Sequence, residues 1–351
     1  MILQKMANSP GLWVRADGPK AEIVFSCRVR LARNLEDFVF PSWADNSGRK
    51  SVSERVLEAV DKNNYFKKGL IIDMSKLSPV ETRFLMERHL ISMEFSEIAD
   101  HKFLATEKGE IISLMINEED HLRLQIILSG LQLLEAWRLS DRVDDDLEKN
   151  LDYAFLPQWG YLTACPTNTG TGMRASCMLH LPALIAVGKI NDLLRSISKL
   201  GLVVRGLYGE GTEVQGDFFQ ISNQVTLGLR EEEIIDNVVR VTRQVVEQEK
   251  KARELLFKKN RIQLEDEVSR AYGTLVNARL MGSKEAITLL SKLRLGTSLH
   301  LCSELKLGTL NELFFLITPA QLQVREGKEL NSFSRDELRA RMIREKLSIL
   351  K

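Results

Sequence analysis

At 351 residues, with 44% hydrophobic and 28% charged side chains, the chain is long enough for two domains, or for one large domain with an appendage, and has the balance of a soluble globular protein. Its 49 basic and 48 acidic residues leave a formal charge of +1, so no global field favours nucleic acid or an anionic membrane. The four cysteines (Cys27, Cys165, Cys177, Cys302) show no paired spacing and, with five scattered histidines, no zinc signature, so a reduced, cytoplasmic setting is expected. The opening MILQKMANSPGLW has neither a long apolar core nor a cleavage pattern, and no signal peptide is expected. The longest apolar stretch, around 178–188, is far shorter than the roughly 20 residues of a membrane helix.

Residues 1–20 form a short lead-in. AEIVFSCRVRL at 21–31 alternates apolar and polar residues, which predicts a strand with Arg28 and Arg30 on one face. Residues 51–63 have helical spacing, and GLIIDM at 69–74 predicts a buried strand. Ser78, Pro79 and Glu81 spell a helix start, with serine as N-cap, proline at the first helical position and glutamate closing a capping box; that helix should run to about His89. EIISLMIN at 110–117 predicts a strand that delivers NEEDHLR at its end, and 129–150 predicts a helix whose DDDLE run (144–148) is a solvated face. A strand at 161–163 leads into a polar glycine-bearing loop, 165–174. A strand at 202–207, a second glycine-rich loop at 206–216 and a returning strand at 218–227 follow. From about residue 230 helices dominate: a charged stretch, 231–281, with an apolar stripe interrupted by Thr242, then 283–295, 310–317, and a last helix opened by a capping box at Ser334–Glu337. A boundary near 230–255 and an α+β class follow.

The chemistry is written in arginines with a few carboxylates among them. Glu119 sits in NEEDHLR, and arginines recur in CRVR (27–30), NTGTGMR (168–174), VVRG (203–206) and RDELRA (335–340). Forked, always-charged guanidinium groups neutralise phosphate, and carboxylates orient a cationic nitrogen and take its proton. The combination points to phosphoryl transfer from ATP to an arginine-like nitrogen. Cys165 is either a thiolate beside the acceptor or a small buried hydrophobe. His121 is either a nucleotide contact or a satisfied structural histidine. Arg335 and Arg339, four apart on one helix, share a face near its N-terminus, with Asp336 beside them.

FSCRVRLARN, NEEDHLRLQ, GYLTACPTNTGTGMR and RGLYGEGTEVQGDFFQISNQVTLG together resemble the ATP:guanidino phosphotransferases, the phosphagen kinase family, and within it the bacterial protein-arginine kinases. The resemblance runs from about residue 12 to 349. It implies a phosphagen-kinase-like catalytic domain over 21–250, with a large antiparallel sheet flanked by helices. It also implies an all-α C-terminal domain over 251–351, serving dimerisation and phosphoarginine sensing. By motif match, Arg28, Arg30, Arg123, Arg174 and Arg205 grip the ATP phosphates, with His121 near the nucleotide. Glu119 and Glu210 are the paired carboxylates, and Cys165 is the family's reactive cysteine. Magnesium is implied as the counter-ion of ATP, with no protein ligand cluster. Arg335, Asp336 and Arg339 match an allosteric phosphoarginine-binding motif. Cys27 stands where related sequences commonly carry serine. The implied partners are proteins with accessible arginines, a zinc-binding activator adaptor, an ATP-dependent unfoldase–protease and a second copy of the chain. Small-guanidine members carry an additional N-terminal helical domain for which the position of Arg28 leaves no room, so an arginine projecting from another protein is the expected acceptor. The alternatives are a small-guanidine kinase and a catalytically silent phosphoarginine-binding scaffold. Nucleic-acid binding through Arg28, Arg30 and Arg33 lacks interleaved aromatics and net charge.

Overall fold

The computed structural model describes residues 2–97, 99–206, 216–302 and 304–348. Its frame is an eight-stranded sheet in which every neighbouring pair is antiparallel, in the order β2 (Leu70–Asp73), β3 (Phe103–Thr106), β4 (Ile112–Ile116), β5 (Leu122–Ser129), β1 (Val24–Arg33), β8 (Met173–His180), β10 (Phe218–Asn223), β9 (Leu202–Arg205). A separate small hairpin joins β6 (Phe155–Leu156) to β7 (Gly160–Tyr161).

The period of two along β1 decides what each face carries. Cys27, Val29 and Leu31 turn into the main core, where they meet Val143 and Leu147 of α4 (Leu133–Glu148) and Val238, Val241 and Val245 of α7 (Glu231–Asn277). Arg28 and Arg30 take the opposite face. A register shift between Val24 and Ser26 then moves Phe25 to the arginine side, as a bulge does. Phe25 packs there with Phe218, Phe314 and Phe315. That second core is built from α8 (Ser283–Ser298), α9 (Leu307–Leu316) and α11 (Ser332–Ser348), and it covers only one end of the face. The remaining end, floored by arginines, stays open.

Two small helices, α5 (Pro182–Ala186) and α6 (Ile190–Ser198), and α2 (Asn46–Lys62) complete the main layer. A third core joins α1 (Ile2–Ala7), α3 (Pro79–Glu87) and α10 (Pro319–Glu326). The lead-in is therefore seated in the fold, with Trp13 and Val14 buried among the C-terminal helices. The predicted capping box at α3 is present: Glu81 N donates to Ser78 Oγ at 3.3 Å and Ser78 N donates to Glu81 Oε2 at 2.9 Å.

Several expectations need correction. β2 is an edge strand with Ile71 52% exposed, so its run of isoleucines marks an edge and not a buried centre. The DDDLE run is not wholly solvated: Asp144 is buried and accepts from Arg33, whose Nη2 lies 2.7 Å away while its guanidinium stacks 3.5 Å from the Tyr161 ring centroid. The last helix starts two residues early, at Ser332, and Asn331 Oδ1 caps it by accepting from Ser334 N at 2.8 Å. α10 was not foreseen. The charged stretch after residue 230 forms α7, whose dihedrals leave the helical range at Asn260.

Candidate active site

A cleft of about 1030 Å³ opens on the uncovered end of the sheet. Register builds its floor. Arg30 on β1 lies opposite Arg174 on β8 and Gln125 on β5, Ala32 lies opposite Arg123, and Arg205 on β9 lies opposite Gln220 on β10. Residues directly opposite in a ladder stand about 5 Å apart, so like charges repel across it. Neutral amides and hydroxyls hold several of these cations. Arg28 donates to Gln220 Oε1 at 3.2 Å and to Gln125 Oε1 at 3.5 Å, and Arg174 donates to Ser222 Oγ at 3.2 Å. Arg123 pairs with Glu118. Arg30 Nε is buried and has no hydrogen-bond partner among the described residues. Burial first, then Arg123 and Arg174, push the Arg28 guanidinium down to about 9, and burial with Arg28, Arg123 and Arg174 pushes Arg30 well down. An anion on this floor relieves both costs.

The acidic end of the cleft is the β4–β5 turn. Asn117 takes φ 61°, a conformation asparagine tolerates, and donates to the carbonyls of Arg49 and His101 at 2.8 and 2.9 Å. Glu118 is buried, bound by Arg123 and Ser92, and its carboxyl is held low although burial alone would raise it. Glu119 is exposed and lines the cleft; burial, then Asp120 and Glu118, raise its carboxyl above the ordinary glutamate range. Asp120 accepts from Asn34 Nδ2 at 2.6 Å and from Ala164 N at 2.7 Å. One carboxylate thus ties the Glu119 turn to the loop that carries Cys165.

That loop is fixed from both sides. Cys165 Sγ lies 3.0 Å from Thr167 Oγ1, and Thr226 Oγ1 lies 2.9 and 2.7 Å from the carbonyls of Thr167 and Thr169. Gly170 has φ +113°, and a Cβ there would stand 2.8 Å from Thr226 O; at Gly172, φ +63°, it would stand 2.6 Å from Ala32 O. Both turns need glycine. Glu119, Cys165, Thr167 and Asn168 therefore meet the arginine floor at one end of the cleft, and His89, Ile287 and Ile317 line its far end.

Not every expected residue is there. Glu210 lies outside the described residues. His121 is fully buried: its Nδ1 accepts from Leu35 N at 3.0 Å, which leaves Nε2 to donate to Val39 O at 3.1 Å. Burial pushes it down to about 4, so it is a neutral brace beneath the turn and not a cleft residue. Arg335, Asp336 and Arg339, expected at a separate site on the last helix, are not among the residues that line the cleft. Arg339 is buried, donating to Ile317 O at 2.9 Å, Met281 O at 2.7 Å and Asp336 Oδ1 at 2.5 Å. Arg335 donates to Leu330 O at 2.7 Å and, like Asp336, keeps part of its side chain in solvent.

Sequence reasoning missed His89, Glu118 and Gln220, all in the cleft wall. His89 takes φ 58° just past α3, and burial, then Arg28, push it down to about 3. Only the extra glutamate of NEED hinted at Glu118; a lone histidine at a helix end and a glutamine inside a strand carry no sequence signal.

The sequence model for the ATP:guanido phosphotransferase C-terminal catalytic domain matches residues 51–252, and that for the protein-arginine kinase McsB C-terminal domain matches 261–351. The chain is 48% identical over 337 residues to a protein of Halothermothrix orenii named protein-arginine kinase, covering 96% of each chain. It is equally 48% identical over 354 residues to the protein of that name from Desulforamulus reducens, covering 100% of this chain and 99% of that one. In architecture it is similar to lombricine kinase (TM-score 0.59, 24% identity, 69% of this chain and 71% of that one). It is similar also to the duplicated taurocyamine kinase of Schistosoma mansoni (TM-score 0.61, 24% identity, 70% of this chain and 35% of that one). With its sheet, its arginine floor and its sequence in agreement, the chain belongs to the ATP:guanido phosphotransferase family.

Proposed function

We propose that the chain is an ATP-dependent protein-arginine kinase, moving the γ-phosphoryl group of ATP to the guanidinium of arginine side chains in proteins. One observation carries the reading: the five arginines of the sheet floor share a cleft that ends on Glu119 and Cys165. Catalysis of phosphoryl transfer is mainly positioning and charge stabilisation. Arg28, Arg30, Arg123, Arg174 and Arg205 hold the triphosphate. Glu119, with its raised carboxyl, pairs with the acceptor guanidinium, fixes the line of attack, and accepts the proton as the phosphorus–nitrogen bond forms and the bond to the β-phosphate oxygen breaks. Glu210 serves as its partner carboxylate, and Cys165 flanks the acceptor from the opposite loop.

Among the described residues no three His, Cys, Asp or Glu side chains converge on a metal. A magnesium ion carried by the nucleotide's own oxygens and water would neutralise phosphate charge. Residues 21–250 act as the catalytic unit. Residues 251–351 serve dimerisation and regulation, with Arg335, Asp336 and Arg339 as a phosphoarginine-responsive motif. Substrates marked in this way pass to an ATP-dependent unfoldase–protease, and a zinc-binding adaptor activates the enzyme. No described helix is long and apolar enough to cross a membrane.

The test gives the protein ATP with either free arginine or a loosely folded arginine-bearing protein. Transfer to the protein, and not to free arginine at comparable efficiency, is expected. Equal efficiency would move the assignment to a small-guanidine kinase, and no transfer at all would leave the scaffold reading.

A further inference from the structure

We propose that the C-terminal helices complete the nucleotide site: Ser283 and Ile287 of α8, with the Ile317–Thr318–Pro319 turn before α10, form the wall against which the nucleobase packs. The inference rests on the ATP reading above and follows from direction along β1. The acceptor end of the cleft lies by Ala32, Arg123 and Glu119. Four residues back along the strand, about 13 Å at about 3.3 Å per residue, stands Arg28. A triphosphate whose tail meets Glu119 lays its other end beyond Arg28. The floor arginines end there, and the lining passes to Ile287 of α8 and the Ile317–Pro319 turn, with Met86 and the Arg83–Glu87 ion pair of α3 at its rim. An uncharged planar base suits that surface, and phosphate does not.

The wall is rigidly held. Ser291 of α8 donates to Asp217 Oδ2 at 2.5 Å and sits 2.8 Å from His180 Nε2, which locks the helix to the start of β10. A Cβ at Gly216 would lie 2.7 Å from Ile287 Cγ2, so the helix is already in contact with the sheet. Glu87 Oε2 accepts from Ala320 N at 2.9 Å and Gln321 N at 3.2 Å, fixing α10 to α3. Arg339 joins the two parts of the wall by donating to the carbonyls of both Met281 and Ile317. The C-terminal region is thus part of the substrate site as well as an appended regulator.

Calorimetric titration of the full chain with ATP and with inorganic tripolyphosphate tests this. Ser283→Phe fills the wall from a half-exposed position, and Ile287→Ala hollows it. Each should weaken ATP by about tenfold, about 1.4 kcal/mol, and leave tripolyphosphate within about twofold of wild type. Should Ile287→Ala not fold, as judged by its melting curve, Ser283→Phe decides alone. ATP affinity within about twofold of wild type, or parallel loss of both ligands, overturns the wall. Base-selective loss in the variants, beside a wild-type chain that phosphorylates no arginine, would instead remove the kinase reading and keep the wall.

Discussion

The arginine floor should cost the empty enzyme stability, and Arg28→Met should reveal it. Burial and two neighbouring guanidinium groups take Arg28 from the ordinary arginine range down to about 9. At about 1.4 kcal/mol per pH unit the charged form is disfavoured by a ceiling of roughly 5 kcal/mol. The side chain is partly exposed, and solvent screens about half of that. Methionine keeps the stem and removes the charge. It also strands the amide oxygens of Gln220 and Gln125, at about 1 kcal/mol each. The net is a gain of roughly 0.5 kcal/mol, or about 1 °C or less in Tm for a chain of this length. Thermal melts without ligand, and with tripolyphosphate at about 100 times its Kd, make the assay. The wild type should gain about 2.7 kcal/mol from the ligand, and the variant far less. A variant that melts lower than wild type when empty, and keeps the full tripolyphosphate shift, would refute the reasoning, because Arg28 would then be a structural residue and not an anion ligand.

Further outcomes are expected. Glu119→Gln should abolish transfer while ATP still binds, since the phosphate grip is separate; measurable turnover at the wild-type rate would remove Glu119 from the chemistry. The acidic limb of the kcat/KM profile should lie above the ordinary glutamate range, and Asp120→Asn, which keeps the bonds from Ala164 and Asn34 but deletes a neighbouring charge, should move it to lower pH. His121 is pushed from 6.5 to about 4, so below about 6.5 the unfolded chain takes up a proton that the folded one refuses. Stability should therefore fall by roughly 3 kcal/mol as pH drops from 6.5 to 4, and His121→Gln should flatten that part of the curve in urea titrations. Asp336→Ala should leave basal transfer intact and blunt any stimulation by phosphoarginine; full stimulation in the variant would end the regulatory reading of that motif.

What the sequence disclosed tracks what is local. Ser78 and Glu81 close their capping box within four residues, and alternation in SCRVR sets Arg28 and Arg30 on one face, so both were readable. The four-residue strand β3 and the apolar strands β5 and β8 were not, because short apolar runs carry no period of their own and became strands only by pairing. The same limit hid the partners of single side chains. Asp144 looks like one more surface acid in DDDLE until Arg33, more than a hundred residues away, is packed against it. Arg339 has helical spacing from Arg335, but the direction of its fork was settled by the carbonyls of Met281 and Ile317, on two other elements. His121 was singled out by its motif, yet its two ring nitrogens are both consumed by the 35–39 segment. His89 lies in no motif and reaches the cleft because the chain turns through a positive φ after α3.

The most direct measurement is mass spectrometry of a protein substrate after incubation with ATP, kept away from acid because the phosphorus–nitrogen bond is acid-labile. Phosphate on arginine side chains, present with the wild-type chain and absent with Glu119→Gln, is predicted. Phosphate on hydroxyl or lysine side chains instead, or the same arginine mark with Glu119→Gln, would contradict an acceptor guanidinium aimed by that carboxylate across the arginine floor.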